Sequence, residues 1–278
     1  MPELPELQAH AERLEAEVGG AVLAGFRPIT FTALKTYAPD PASAVGEALT
    51  SVGRRGKYLL LRIGELTFVV HLMQGGRLKP DEKQTAKPRG GIARWTFADG
   101  RALLLTEPGT ERRAGVWVLA GDPEGQEPLD HLGPDADTLD AAALAPLLAA
   151  HPMRLHGFLR DQRILAGVGR RLANEICHRA KLSPFAGTAK LDADQIDRLA
   201  EAIAGCIADS LAVERTNDEM VRSADRPGNV HHRIGEPCPV CGDTIRSVEY
   251  RAYTVAYFPT CQTNGKTLAD NTTSKFLK

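Results

Sequence analysis

The first three residues, Met1, Pro2 and Glu3, could support covalent chemistry. If Met1 is removed, Pro2 becomes a free secondary amine. An α-amino group has a pKa of about 7.7–8.0, compared with about 10.4 for a lysine side chain, so part of it is unprotonated at neutral pH. Such an amine can attack an aldehyde or a sugar C1′ carbon to form an iminium, and the adjacent Glu3 could transfer protons.

The same stretch also has an ordinary structural interpretation. Pro5 suits the first turn of a helix, and Glu6 complements the positive end of the helix dipole. The residues that would form the apolar face of this helix are Leu7, Ala11, Leu14 and Val18. A helix over residues 5–18 is therefore predicted, but it leaves Pro2 and Glu3 unexplained.

A second candidate group lies near the C-terminus, where Cys238 and Cys241 are spaced like a zinc knuckle. Zinc takes four ligands, so C-x2-C-x16-C-x2-C would form a complete zinc ribbon. Here the third position is Phe258, and only Cys261 follows it. The candidates for a substitute fourth ligand are His231 and His232. The alternative is a hairpin without metal, packed around Val255, Tyr257 and Phe258.

The third candidate is the segment ILAGVGRRLANEIC, in which Gly167 and Gly169 precede a predicted helix. Between residues 154 and 181 there are seven basic residues and two acidic ones. Glycines let a backbone approach a partner closely, and exposed amides at a helix N-terminus bind phosphate. A helical hairpin with glycines for packing, or a solvated charged face, is the structural alternative.

The elements that must position these groups belong to an ordinary globular chain of 278 residues, 43% hydrophobic and 25% charged. Its net charge of −1 argues against a uniformly basic nucleic-acid binder. Residues 1–150 hold 16 basic and 20 acidic side chains, whereas residues 151–278 hold 18 and 15. Neither a membrane span nor a signal peptide is predicted, so we expect a cytoplasmic protein without a membrane partner. Five cysteines are too few for a disulfide scaffold.

The pattern of apolar residues changes along the chain. Residues 50–120 alternate short apolar runs with tight turns, and KYLLLRIGELTFVVHLM and ARWTFADGRALLLTE each predict a hairpin. Residues 121–138 are rich in Gly, Pro and Asp and predict a linker. Three helical segments follow, the last capped by Asp192 or Asp194, and hairpin character returns from Cys238.

Together these stretches resemble the formamidopyrimidine-DNA glycosylase and endonuclease VIII family of base-excision repair enzymes. The resemblance rests on PELPE, RRGKYLLL, HLMQGGRL, LRDQRILAGVGRRLANEICHRAKLSPF, and GEPCPVCG followed by PTCQTNGK. It implies an α+β fold, with an N-terminal β-sandwich domain and flanking helices over 1–125. A helix-two-turns-helix domain over 139–222 and a zinc-ribbon-like β-hairpin over 232–278 would follow, with DNA in the cleft between the domains.

The resemblance also implies residue roles. Pro2 would be the nucleophile that forms a Schiff base with the sugar, Glu3 would assist by protonation, and Glu6 would belong to the catalytic pocket. Lys57 would grip a phosphate beside the lesion. The other implied DNA-binding positions are His71, Gln74, Arg112, Gly167, Gly169, Arg170, Arg251 and Tyr253. Cys238, Cys241 and Cys261 would be an incomplete set of Zn²⁺ ligands.

Several positions depart from the family pattern. The wedge that fills the space left by an extruded nucleotide is usually Met, Arg and Phe, and here the aligned residues are Gln74, Arg112 and Ala114. Met73 could substitute only if its loop shifts. Arg170 replaces a phosphate-binding asparagine, and Tyr253 replaces the arginine of the hairpin, although Arg251 is nearby.

We therefore expect a bifunctional DNA glycosylase and abasic-site lyase. Its partner would be double-stranded DNA with damaged bases or abasic sites, and the protein would be a nucleoid-associated monomer. The alternative is a non-catalytic paralogue that binds abasic or distorted DNA. A zinc-dependent regulator is a third, weaker hypothesis because the ligand set is incomplete.

Overall fold

The computed structural model describes residues 1–109, 112–222, 225–250 and 253–268. The chain divides into two compact units. The first unit comprises Met1–His131 with Glu214–Met220, and the second comprises Leu132–Val213 with Val221–Lys278.

The first unit begins with helix α1, Leu4–Val18. Glu3 is its N-cap residue, and Pro5 lies in the first turn, where a missing N–H costs nothing. The helix ends before Gly19, whose N–H donates to the Glu15 carbonyl at 2.8 Å. Its predicted apolar face is confirmed, because Leu7, Ala11, Leu14 and Val18 are all buried.

Two four-stranded antiparallel sheets make up the rest of the first unit, in the orders β1-β6-β7-β5 and β2-β3-β4-β8. The strands are β1 Leu23–Pro28, β2 Leu49–Arg55, β3 Tyr58–Ile63, β4 Leu66–His71, β5 Arg77–Pro80, β6 Gly91–Phe97, β7 Ala102–Thr106 and β8 Gly115–Ala120. Both predicted hairpins are confirmed, as β3-β4 and β6-β7.

The core of the first unit lies between the two sheets. Phe26 of β1 contacts Phe68 of β4 with ring centroids 5.3 Å apart, and it contacts Trp95 of β6 at 5.0 Å. Phe68 and Trp95 are fully buried. Burying rings of this size contributes most of the hydrophobic stabilisation of a small sandwich.

The second unit is mainly helical. Its elements are α2 Ala141–Ala150, α3 Leu155–Arg160, α4 Arg170–Arg179, α5 Ala193–Arg215, the antiparallel strands β9 Arg246–Tyr250 and β10 Tyr253–Tyr257, and the short α6 Pro259–Thr263. Asp192 caps α5 by accepting the N–H of Gln195 at 2.8 Å, whereas Asp194 lies inside the helix.

Helix α4 is central to the second unit. Leu172, Ala173 and Ile176 on this helix are fully buried. The helix packs against α3 on one side and against β10 and α6 on another. The segment that carries Gly167 and Gly169 is thus attached to the same helix that contacts the hairpin. Among the helices within the described ranges, none combines the length and apolar character needed to cross a membrane.

Candidate functional site

The candidate catalytic residues lie at the N-terminus of α1 in the first unit. Pro2 is buried, Glu3 is 5% exposed and Glu6 is fully buried. A Glu6 carboxylate oxygen accepts the backbone N–H of Glu3 at 2.6 Å. This hydrogen bond caps the helix and fixes the backbone next to Pro2, so Glu6 has a structural function whatever its chemical one.

His71 interacts electrostatically both with Lys57 and with the amino terminus. Lys57 lies in the tight turn between β2 and β3, and His71 ends β4 with its ring 4.7 Å from that of Tyr58. Burial, together with the positive charges of Lys57 and the chain's amino terminus, lowers the pKa of His71 to about 4. The imidazole is therefore neutral at neutral pH, and three motifs that are distant in sequence meet in one place.

The loops predicted to carry the wedge differ in exposure. Gln74 is exposed in the turn after β4, and Arg112 is exposed before β8. Ala114 is buried, and its N–H donates to Glu107 Oε2 at 2.7 Å. Met73 packs against the core, and its sulfur lies 2.8 Å from His71 Nδ1. In this structure Met73 is thus directed into the unit. It could act as a wedge residue only if its loop shifted.

The glycine segment before α4 is held by a side chain that the sequence analysis did not select. Gly167 has φ +97°, which favours glycine, and its N–H donates to Gln162 Oε1 at 3.0 Å. The amide nitrogen of Gln162 donates to the carbonyls of Arg160 at 2.8 Å and Val168 at 2.9 Å. Gly169 is the N-cap of α4 without a side-chain cap, and Arg170 begins the helix and is exposed. Gln162 lies in the charged stretch RDQR, so the sequence offered no local signal for this role.

Of the two hairpin positions predicted to contact DNA, Tyr253 lies within the described residues and Arg251 does not. Arg251 lies outside the described residues. Tyr253 begins β10, where its backbone pairs with Tyr250 of β9. Both assignments stay predictions.

A group of metal-binding side chains lies in the second unit, and we call it the thiol-imidazole cluster: His178, Cys238, Cys241 and Cys261. The donor atoms of His178, Cys238 and Cys261 all lie within 4.8 Å of one another. Side-chain hydrogen bonds link the Cys241 thiol to Cys238 and Cys261. Thiolate and imidazole are ligands that zinc prefers, so these residues could hold a metal ion.

His178 was not predicted, and it takes the place that the sequence suggested for His231 or His232. It lies on α4, and its ring is 4.6 Å from that of Phe258. His231 and His232 instead contact each other at 4.1 Å, and His231 Nδ1 lies 3.1 Å from the Asn174 amide nitrogen. The hairpin also has the apolar packing that a metal-free hairpin would need, because Phe258 is fully buried among Val230, Cys238, Ile245 and Ala256.

Burial and hydrogen bonds between the thiols set the protonation states of the thiol-imidazole cluster. Burial, followed by hydrogen bonds to the neighbouring thiols, raises the pKa of the Cys261 thiol to about 12. Burial also lowers the pKa of His178. The imidazole is thus kept in the neutral form that binds metals, whereas Cys261 would lose its proton only beside a cation.

Comparison with known proteins relates these sites to one family. The family model described as the formamidopyrimidine-DNA glycosylase N-terminal domain matches residues 1–117. A formamidopyrimidine-DNA glycosylase of Chloroflexus aurantiacus is 31% identical over 275 residues, covering 94% of this chain and 98% of that protein. An uncharacterized formamidopyrimidine-DNA glycosylase-like protein of Mycobacterium tuberculosis is 43% identical over 164 residues, which are 58% of this chain and all of that protein.

Solved structures share the fold. The MutM (Fpg) protein of Thermus thermophilus superposes with a TM-score of 0.79 at 27% identity, covering 94% of this chain and 98% of that one. The Lactococcus lactis Fpg in complex with abasic-site DNA gives a TM-score of 0.82 at 20% identity, covering 94% and 99%. At the lower identity the likeness shows the fold alone, and it confirms the predicted α+β architecture.

Proposed function

Given that the chain belongs to the formamidopyrimidine-DNA glycosylase family, we propose that it excises a damaged base from double-stranded DNA and cleaves the resulting abasic site. One observation carries this proposal. The positive charges of the amino terminus and of Lys57 both act on His71, and the amino terminus is followed by the buried Glu3. A helix cap alone does not require a lysine and a partly buried histidine near the first residues.

The proposed chemistry begins after removal of Met1. The unprotonated Pro2 nitrogen attacks the sugar C1′, the bond from C1′ to the base breaks, and the departing base takes up a proton. The Pro2 nitrogen then loses its proton, and the C1′–O4′ bond breaks as O4′ takes up a proton, which gives a ring-opened iminium that acidifies the C2′ hydrogen. Loss of that proton and of the 3′ phosphate then cleaves the strand. Glu3 is the proposed proton carrier, because it is adjacent to Pro2 and its backbone is fixed by Glu6.

The proposed DNA contacts follow from charge and exposure. Lys57 would bind a phosphate next to the reacting sugar, and Arg170 with the amides at the start of α4 would bind another. Gln74 and Arg112 are exposed on the first unit and are the proposed wedge residues. His71 is neutral, so its proposed contact is a hydrogen bond and not an ion pair.

We assign catalysis to residues 1–125, DNA binding to 139–222 and a metal-binding hairpin to 232–278, with zinc as the metal. The residues fit zinc, because two thiols and an imidazole lie within 4.8 Å of one another and the Cys241 thiol interacts with both of those thiols. When bound, the metal would hold the hairpin and would take no part in base removal. As a DNA repair enzyme, the protein would be a cytoplasmic monomer associated with the nucleoid.

The test is borohydride trapping on a duplex that contains one abasic site. Borohydride reduces an iminium to a stable amine, so protein with a mass-verified Pro2 terminus should become covalently attached to the DNA. Protein with one extra residue before Pro2 should bind the same duplex without attachment, because its Pro2 nitrogen is acylated. Equal trapping of both proteins would exclude Pro2 as the nucleophile. No trapping, with binding retained, would favour the non-catalytic paralogue.

A further inference from the structure

We propose that His178 is the fourth ligand of a Cys3His zinc site and that the metal joins the C-terminal hairpin to helix α4. This inference rests on the metal proposed above and not on the proposed catalysis. The hairpin of this chain supplies three thiols, and Phe258 occupies the third of the four ligand positions in the knuckle pattern. The imidazole therefore comes from a different element of the second unit.

The distances match a tetrahedral zinc site. Bonds of about 2.3 Å from zinc to sulfur and about 2.0–2.1 Å to nitrogen, set at tetrahedral angles, place two sulfurs about 3.8 Å apart and a sulfur and a nitrogen about 3.5 Å apart. Cys238 Sγ lies 3.8 Å from Cys261 Sγ and 3.6 Å from His178 Nε2. Both separations are those of ligands on one ion.

Packing explains why this histidine is available. Helix α4 packs against β10 and α6, which flank Phe258. The buried Phe258 ring contacts the His178 ring, while His178 Nε2 lies towards Cys238. Phe258 occupies the knuckle position where a ligand is missing, and its ring thus helps to orient the His178 imidazole, which is the proposed substitute ligand. Cys241 is exposed, so an ion can reach the cluster from solvent.

The replacement changes what the metal would stabilise. A zinc ribbon with four local ligands closes only its own hairpin. A Cys3His site with His178 would instead fasten residues 238–261 to a helix whose first turn follows Gly167 and Gly169. Because metal binding to the folded state stabilises it, zinc would raise the stability of the helical part of the second unit as well.

The experiment compares metal binding by the full chain and three variants. We would measure zinc affinity by competition with a chromophoric chelator, and the ligand set by the absorption of the Co²⁺ form. The wild type should bind one ion per chain. His178→Ala should weaken binding by more than the roughly 10–100-fold that loss of an outer-shell partner costs. The matched control, His231→Ala, should bind as the wild type does.

His178→Cys keeps the proposal testable if His178→Ala does not fold. It replaces the imidazole by a fourth thiolate, so the thiolate-to-cobalt absorption should rise in the ratio 4:3. An unchanged cobalt spectrum, or unchanged zinc affinity of a folded His178→Ala protein, would overturn the role of His178. A wild-type protein that binds no metal would overturn the zinc proposal itself. Neither result would affect the trapping experiment, which tests catalysis alone.

Discussion

The Glu175 carboxylate should be one of the strongest single determinants of stability in the second unit. Glu175 lies on α4 and is 7% exposed. It accepts three backbone N–H groups, from Asn229 at 2.8 Å, Val230 at 3.0 Å and His231 at 2.9 Å. The segment that precedes the hairpin is thus fastened to α4 by one side chain.

The expected magnitude follows from the groups left without an acceptor. A hydrogen bond to a charged group contributes about 1.5–3 kcal/mol, and an orphaned buried donor costs about 1–3 kcal/mol. Glu175→Ala removes all three hydrogen bonds, and because such costs do not add fully we expect a loss of about 4 kcal/mol. Glu175→Gln retains one acceptor oxygen and should lose about 2 kcal/mol.

Urea unfolding followed by far-ultraviolet circular dichroism measures this loss, because α2 to α4 and most of α5 belong to the second unit. With a slope of about 2 kcal/mol per molar urea, the midpoint should fall by about 2 M for Glu175→Ala and about 1 M for Glu175→Gln. Tryptophan fluorescence reports the first unit, since Trp95 and Trp117 both lie there. The control is the same pair of changes at Glu201, which is exposed on α5. A Glu175→Ala midpoint equal to that of Glu201→Ala would refute the reasoning.

Three further predictions concern other parts of the molecule. Burial lowers the pKa of His10 to about 4, and His10 Nε2 lies 2.8 Å from the Leu78 carbonyl. As the pH falls, His10 becomes protonated in the unfolded chain before it does so in the folded protein. The free energy of unfolding should therefore decrease between about pH 6.5 and 4, by about 3 kcal/mol for this residue. His10→Gln should flatten the measured dependence of unfolding free energy on pH. Lys57→Ala should weaken DNA binding and reduce the slope of log affinity against log salt by about 0.9, whereas Lys190→Ala should leave the slope unchanged. Phe258→Ala should cost about 3–5 kcal/mol of stability by opening a cavity beside His178, and a smaller loss in calorimetry would contradict its full burial.

Local sequence patterns predicted the elements well where one face is buried. The hairpins β3-β4 and β6-β7 follow from short apolar runs around Gly-Glu and Asp-Gly turns. The first of the three predicted helical segments, AAALAPLLAAHPMRLHGFL, has the pattern of one helical stretch, but the structure divides it into α2 and α3. The division comes at His151, because Pro152 disfavours helical backbone in the residue before it.

The candidate sites could be predicted only in part. The resemblance supplied roles for Pro2, Glu3 and Lys57, and the action of both Lys57 and the amino terminus on His71 supports them without testing them. His178 carried no local signal, because a ligand on a helix 60 residues before Cys238 has no characteristic spacing. The same holds for Gln162, whose function depends on the conformation of Gly167.

The contact between His178 and Cys238 also makes completion of the proposed metal site depend on a long-range contact. It spans 60 residues, whereas the contact between Cys238 and Cys261 spans 23, and closing the longer loop costs roughly 1 kcal/mol more chain entropy. The hairpin can complete its donor set only on an α4 that has already formed. Synthesis from the N-terminus meets this condition, since the helix leaves the ribosome before the thiols do. A peptide limited to the C-terminal hairpin would contain the three thiols without their imidazole, so the hairpin cannot be treated as a self-sufficient module.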